Sequence, residues 1–140
     1  MRAPLSAVAL SLICSSSWAD CTVSTSGIAF GAYDPFVPQA VDSVANIGVT
    51  CDVATPYSIS LSTGNGTYDQ RFMTSGLHQL LYNLYTDATL NTVWGDGTGH
   101  SIVVSDTQMV ASHTAYGRIP ARQDAHVGVY SDTIVITLTF

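Results

Sequence analysis

The stretch "GVYSDTIVITLTF" (residues 128–140) alternates apolar and polar side chains down to its final residue. Ile134, Ile136, Leu138 and Phe140 fall on one face and Val135, Thr137 and Thr139 on the other, the two-residue period of a β-strand. The first set is expected to face a core, because leaving four such side chains in water forfeits about 1.5–3 kcal/mol each as an upper estimate. Two arrangements satisfy this pattern. The strand is either interior, flanked on both sides by earlier strands, or it lies at an open edge, where free backbone groups and apolar side chains invite association. Alternation alone leaves both open.

Upstream segments repeat the strand signal between turn residues. "YSISLSTG" (57–64) sets Tyr57, Ile59 and Leu61 against serines, a half-buried strand. "SVANIGVTC" (43–51) is expected to place Val44, Ile47, Val49 and Cys51 on one side, and "CTVSTSGIAF" (21–30) reads as a strand interrupted at Gly27. After it, Gly31, Pro35 and Pro38 forbid a regular ladder. "LLYNLYTD" (80–87) and "QMVASHTAYGRI" (108–119) are further strands, "TVWGDGTGHSIVV" (92–104) a hairpin or short loop around Asp96 and Gly97, and "PARQDAH" (120–126) a polar connection. Short strands with a turn every eight to twelve residues are the pattern of a β-sandwich.

The opening residues have another character. Met1 and Arg2 precede the apolar "APLSAVALSLIC" and the small-residue run "SSSWA" before Asp20, so residues 1–19 read as a secretory leader and 20–140 as the exported domain. The apolar run is shorter than the about 20 residues of a bilayer span, so no membrane span is expected. Ile13 precedes Cys14 where a lipid-anchored protein needs a small residue. After cleavage two cysteines remain, Cys21 and Cys51; in an exported protein an isolated pair is most simply a disulfide, free thiols or half a metal site being the alternatives.

All ten acidic residues are aspartates, lysine is absent and the formal net charge is −6. Nucleic-acid binding needs clustered cations to displace counterions from phosphates, so that class is excluded. Four histidines (His78, His100, His113, His126) are scattered with no ligand spacing, so they are expected on surfaces or loops and no metal or cofactor is expected. "WGDGTGH" (94–100) lacks the lysine and helix of a phosphate cradle and reads as a tight turn. No Gly-x-Ser-x-Gly elbow supplies a nucleophile, so no catalytic residues are assigned. Tyr82, Tyr85, Trp94, Tyr116 and Tyr130 could form a sugar-binding shelf, but core packing is the default for such residues.

The blocks "CTVSTSGIAFGAYDP", "VTCDVATPYSISLSTG", "LLYNLYTDATLNTVWGDGT", "YGRIPARQ" and "GVYSDTIVITLTF", in this order, resemble the spore coat protein U family, which includes subunits of archaic chaperone-usher pili. The resemblance implies an immunoglobulin-like β-sandwich lacking its last strand, completed when a periplasmic chaperone, and then a neighbouring subunit at the outer-membrane usher, adds a strand to the exposed edge. It implies an acceptor groove lined partly by Ile134, Ile136, Leu138 and Phe140, with the Phe140 carboxylate as a chaperone anchor, and a family disulfide joining Cys21 and Cys51. Arg118 and Asp132 look like structural polar residues of the family.

The function implied is a non-enzymatic structural subunit of a surface pilus or extracellular coat. A tip adhesin or carbohydrate-binding surface module, using loops such as 94–100 or 64–79, is the alternative. Polymerising subunits carry about ten to fifteen alternating residues ahead of the fold to donate as a strand. Here the expected mature chain begins at Asp20 and Cys21. That points to a fibre tip or a coat outside a fibre, unless the start codon is misplaced.

Overall fold

The computed structural model describes residues 19–140, so the expected leader lies almost wholly outside the described residues. Ten strands make up the secondary structure: β1 Cys21–Thr25, β2 Val41–Cys51, β3 Tyr57–Leu61, β4 Arg71–Ser75, β5 His78–Tyr85, β6 Val93–Trp94, β7 Ser101–Ile102, β8 Val104–Asp106, β9 Val110–Ile119 and β10 Ile136–Thr139. They form two sheets. The larger runs β1-β2-β9-β5-β6-β7, with β4 also paired to β5; the smaller runs β10-β3-β8. No helix among the described residues is long and apolar enough to cross a membrane.

The core forms where the alternating faces of the two sheets meet. Tyr57, Ile59 and Leu61 on β3 are buried as their spacing predicts. On β2 the buried row is Ala45, Ile47, Val49 and Cys51. Val44, expected among them, is 55 % exposed, because an even-numbered residue cannot share a face with odd-numbered ones at a period of two. Trp94 is fully buried and donates its indole N–H to the Ile59 carbonyl across the sandwich, at 3.0 Å. Of the hairpin or short loop expected around Asp96, the structure has the short loop, set between two parallel strands, β6 and β7.

A buried arginine is the polar centre of this interior. Arg71, fully buried on β4, donates to the Ser62 carbonyl at 2.7 and 3.1 Å, the Trp94 carbonyl at 2.8 Å and Asn83 Oδ1 at 2.8 Å. The Tyr68 ring lies 5.3 Å from its guanidinium carbon. No carboxylate pairs with it among the described residues. Burial pulls its pKa below the ordinary arginine value, yet an arginine stays charged in a protein interior. A lone buried cation is tolerated here because fixed carbonyl dipoles replace its hydration.

Pro120 has no N–H to continue the β9 ladder, and a side chain takes over. The Gln123 amide accepts from Leu81 N–H at 2.7 Å and donates to the Leu81 carbonyl at 2.8 Å, imitating a strand partner. Its own N–H donates to Tyr33 Oη, which in turn donates to the Pro120 carbonyl. Residues 120–126 are therefore more than a polar connection. Gln123→Ala is expected to cost about 1–3 kcal/mol, because it strips partners from two strand groups at once. Urea unfolding of the two proteins measures it.

Candidate functional site

β10 has one ladder neighbour among the described residues, β3, so the terminal strand lies at an edge. Ser131 exchanges both backbone hydrogen bonds with Thr74 on β4, and four residues later Val135 bonds Ser62 through both its N–H and its carbonyl. Odd-numbered residues thus turn their backbone groups toward β4 and β3. By alternation Tyr130, Asp132, Ile134, Ile136 and Leu138 turn theirs the other way. That side carries no ladder among the described residues.

Facing this edge is the continuation of β1. The strand ends before Gly27, whose φ of +70° breaks the extended run, and the chain then stays beside β2 through Ser26 N–H to the Asn46 carbonyl and Ser43 Oγ to the Ala29 carbonyl. Ile28 and Phe30 lie over Gly117 of β9, where a Cβ would fall within 2.7 Å of both side chains. A glycine is required for that approach. Residues 28–33 form no ladder on their free side.

Between the two segments is an open cleft of about 640 Å³. Its walls are residues 28–35 and 125–134, and its floor is Met73, Leu80, Tyr82 and Ile119. Asp132 ties wall to floor: it accepts from Tyr82 Oη at 2.6 Å, Asn65 N–H at 3.2 Å and Thr133 N–H at 2.8 Å. Burial, reinforced by the Asp132 carboxylate, pushes the Tyr82 pKa far above the usual phenol value, so Tyr82 stays a neutral donor in this link. Further along the same wall, His126 stacks on His78 with ring centroids 3.8 Å apart, holding residues 125–130 against the β4–β5 hairpin.

Of the four residues assigned to the terminal row, Ile134, Ile136 and Leu138 are half-buried against the core. Phe140 is 55 % exposed and lies outside the core. The cleft meets the row at Ile134 only. Cys21 and Cys51 are directly opposed in the β1–β2 register and joined by a disulfide. Arg118 forks onto Asp42 across β9 and β2 at 2.6 and 2.8 Å, and this hydrogen-bonded partner holds the Asp42 carboxyl below its usual range.

Trp94 and Tyr82 are buried, in line with the core packing expected by default, so the five aromatics form no shelf. One assignment needs correction. His113 is neither on a loop nor at the surface: it sits in mid-β9 with its side chain 15 % exposed, because the β9 alternation turns it inward. His78 opens β5 and is exposed there, one of the surface positions expected. Sequence reasoning missed Arg71 and Gln123 altogether. An isolated arginine opening a strand of otherwise apolar and hydroxyl residues was the available signal for the first; the second had none. No three His, Cys or carboxylate side chains cluster among the described residues.

An all-β sandwich whose terminal strand borders an apolar cleft is the class of protein these observations define. The spore coat protein U domain model matches residues 7–137, and the chain belongs to that family. It is similar to Protein U of Myxococcus xanthus, 28 % identical over 127 residues that take in 79 % of this chain and 70 % of that one. Among solved structures it is similar to a chain of the CsuC–CsuE chaperone–tip adhesion subunit pre-assembly complex from the archaic chaperone-usher Csu pili of Acinetobacter baumannii. There the TM-score is 0.61 and the identity 26 %, over 88 % of this chain; the match spans only 40 % of the Csu chain's length. The Escherichia coli Hda pilus minor tip subunit HdaB aligns over 85 % of this chain and 79 % of its own, with 16 % identity and a TM-score of 0.40, a likeness too slight to add to the fold assignment.

Proposed function

We propose that this domain is a non-enzymatic subunit of a surface pilus or extracellular coat, exported behind a leader at residues 1–19. Its groove is filled first by a strand of a periplasmic chaperone and then, at an outer-membrane usher, by a strand of a neighbouring subunit. The carrying observation is the open backbone edge at Tyr130, Asp132, Ile134, Ile136 and Leu138, set beside an apolar cleft of about 640 Å³. An added strand gains main-chain hydrogen bonds from such an edge and side-chain contacts from such a floor. Family membership supports the reading, as does the likeness to a chain from a chaperone–subunit complex.

The test is periplasmic expression with and without the cognate chaperone. With it, a one-to-one complex is expected; without it, the subunit should be degraded or aggregate. Ile134→Arg, which puts a charge where the cleft meets the edge, should abolish the complex. A stable, folded monomer recovered in equal yield without the chaperone overturns the reading.

A tip adhesin is the second reading, favoured by Leu77, 98 % exposed at the β4–β5 hairpin tip beside the equally open Val127 and Val129. Leu77→Ser should then reduce surface attachment while assembly continues.

A further inference from the structure

Away from the cleft, three side chains from both sheets turn their donor atoms to one spot. Tyr57 on β3 and Asp106 on β8 are register partners in the smaller sheet, and His113 comes from β9 in the larger. Tyr57 Oη lies 2.9 Å from His113 Nε2, and Asp106 Oδ2 lies 3.6 Å from the same nitrogen. One ring nitrogen carries either one proton or one lone pair, so it satisfies only one of these oxygens at a time. A cation satisfies all three donors together. Ligands about 2.0–2.2 Å from a first-row ion, at angles of roughly 90–120°, stand about 3–3.6 Å from one another.

We propose that Tyr57, Asp106 and His113 form a binding site for a divalent first-row transition-metal ion, with Cu²⁺ preferred. An imidazole, a carboxylate and a phenol oxygen form a borderline N/O set, for which affinity rises along the series to Cu²⁺. The carboxylate is already oriented: Asp106 Oδ1 accepts from the N–H groups of Thr107 at 2.7 Å and Gln108 at 3.3 Å, leaving Oδ2 for the ion. A surface depression of about 440 Å³, bounded by Tyr57, Asp106 and Thr107, lies beside two of the three ligand residues. On binding, the Tyr57 phenol releases its proton to solvent and its oxygen bonds the metal. Because the ligands come from both sheets, the ion staples the sandwich and binds the folded chain selectively.

The experiment uses the exported protein with its disulfide formed, stripped by a chelator and titrated with copper(II) and zinc(II) salts. One equivalent of Cu²⁺ is expected to bind with a Kd of about 1 μM or tighter. Its paramagnetic resonance spectrum should show one imidazole nitrogen, and a phenolate-to-copper charge-transfer band should appear. At a hundred times Kd the Tm should rise by about 5–10 °C. Zn²⁺ should bind more weakly. His113→Gln and Asp106→Asn should each weaken copper binding by about tenfold or more. Tyr57→Phe, which removes only a hydroxyl, should abolish the band even if the other variants fail to fold. The His78→Gln, His126→Gln double variant should bind as the parent does. Three results overturn the site: a Kd weaker than about 100 μM, binding that follows His78 and His126 instead of His113, or a Tyr57→Phe protein with unchanged spectrum and affinity.

Discussion

Arg71→Met will lose about 3–5 kcal/mol of stability, a large share of what a domain of this size possesses. Methionine fills much of the volume and donates nothing. The Ser62 carbonyl then loses two donors at a part-buried position and the Trp94 carbonyl one at a buried position. Each buried acceptor left without a partner costs about 1–3 kcal/mol. Asn83 Oδ1 suffers less, since the Leu84 N–H still reaches it at 2.9 Å. Arg118→Met is the matched control: it breaks a fork with Asp42 that is largely in solvent, for which about 1 kcal/mol is the ceiling. Urea titrations of both variants should show a large fall in midpoint for the first and almost none for the second. Equal losses would mean that the carbonyl cage around Arg71 contributes nothing beyond ordinary surface pairing.

Opening the disulfide by Cys21→Ser with Cys51→Ser will cost about 3–4 kcal/mol in the chain-entropy account, for a bridge that spans 30 residues. The loss will not be spread evenly. Along β1 only Cys21 is buried; the next four residues are exposed, so this strand has little apolar contact to keep it in place. Residues 28–33, the wall of the cleft, hang from it. Hydrogen exchange should therefore accelerate at Cys21–Thr25 and along that wall, while β9 and β5 keep their protection. Uniform acceleration across both sheets would show that the bridge stabilises the domain as a whole and has no particular hold on the wall.

Much of the fold was legible because β-structure is written locally. Tyr57, Ile59 and Leu61 against serines fix which face of β3 is buried, whatever lies opposite. The same logic failed at Val44, where the apolar type was read without its parity, and at Phe140, which keeps the alternation yet is exposed. The expected strands were also too long at the end of β1 and at the beginning of β10: Gly27 breaks the run after Thr25, and most of residues 26–30 and 129–135 have no ladder partner on one side. Those two gaps are the walls of the cleft.

Sequence alone determined the class of protein: period-two alternation, glycine-rich turns and the ordered blocks of the spore coat protein U family, each carried by residues close in the chain. Whether residues 128–140 lay inside a sheet or at its edge could not be read from them, since an edge is defined by the strand that is not there. Only the tertiary structure decided that, by pairing β10 with β3 and with no other strand among the described residues. It likewise brought Arg71 to the Ser62 and Trp94 carbonyls and the Asn83 side-chain amide, put the Gln123 amide in place of a missing ladder, and set Tyr57, Asp106 and His113 around one point. Such convergences join residues that lie from nine to 56 positions apart. No local period encodes them, because what places each partner is the packing of two sheets against each other.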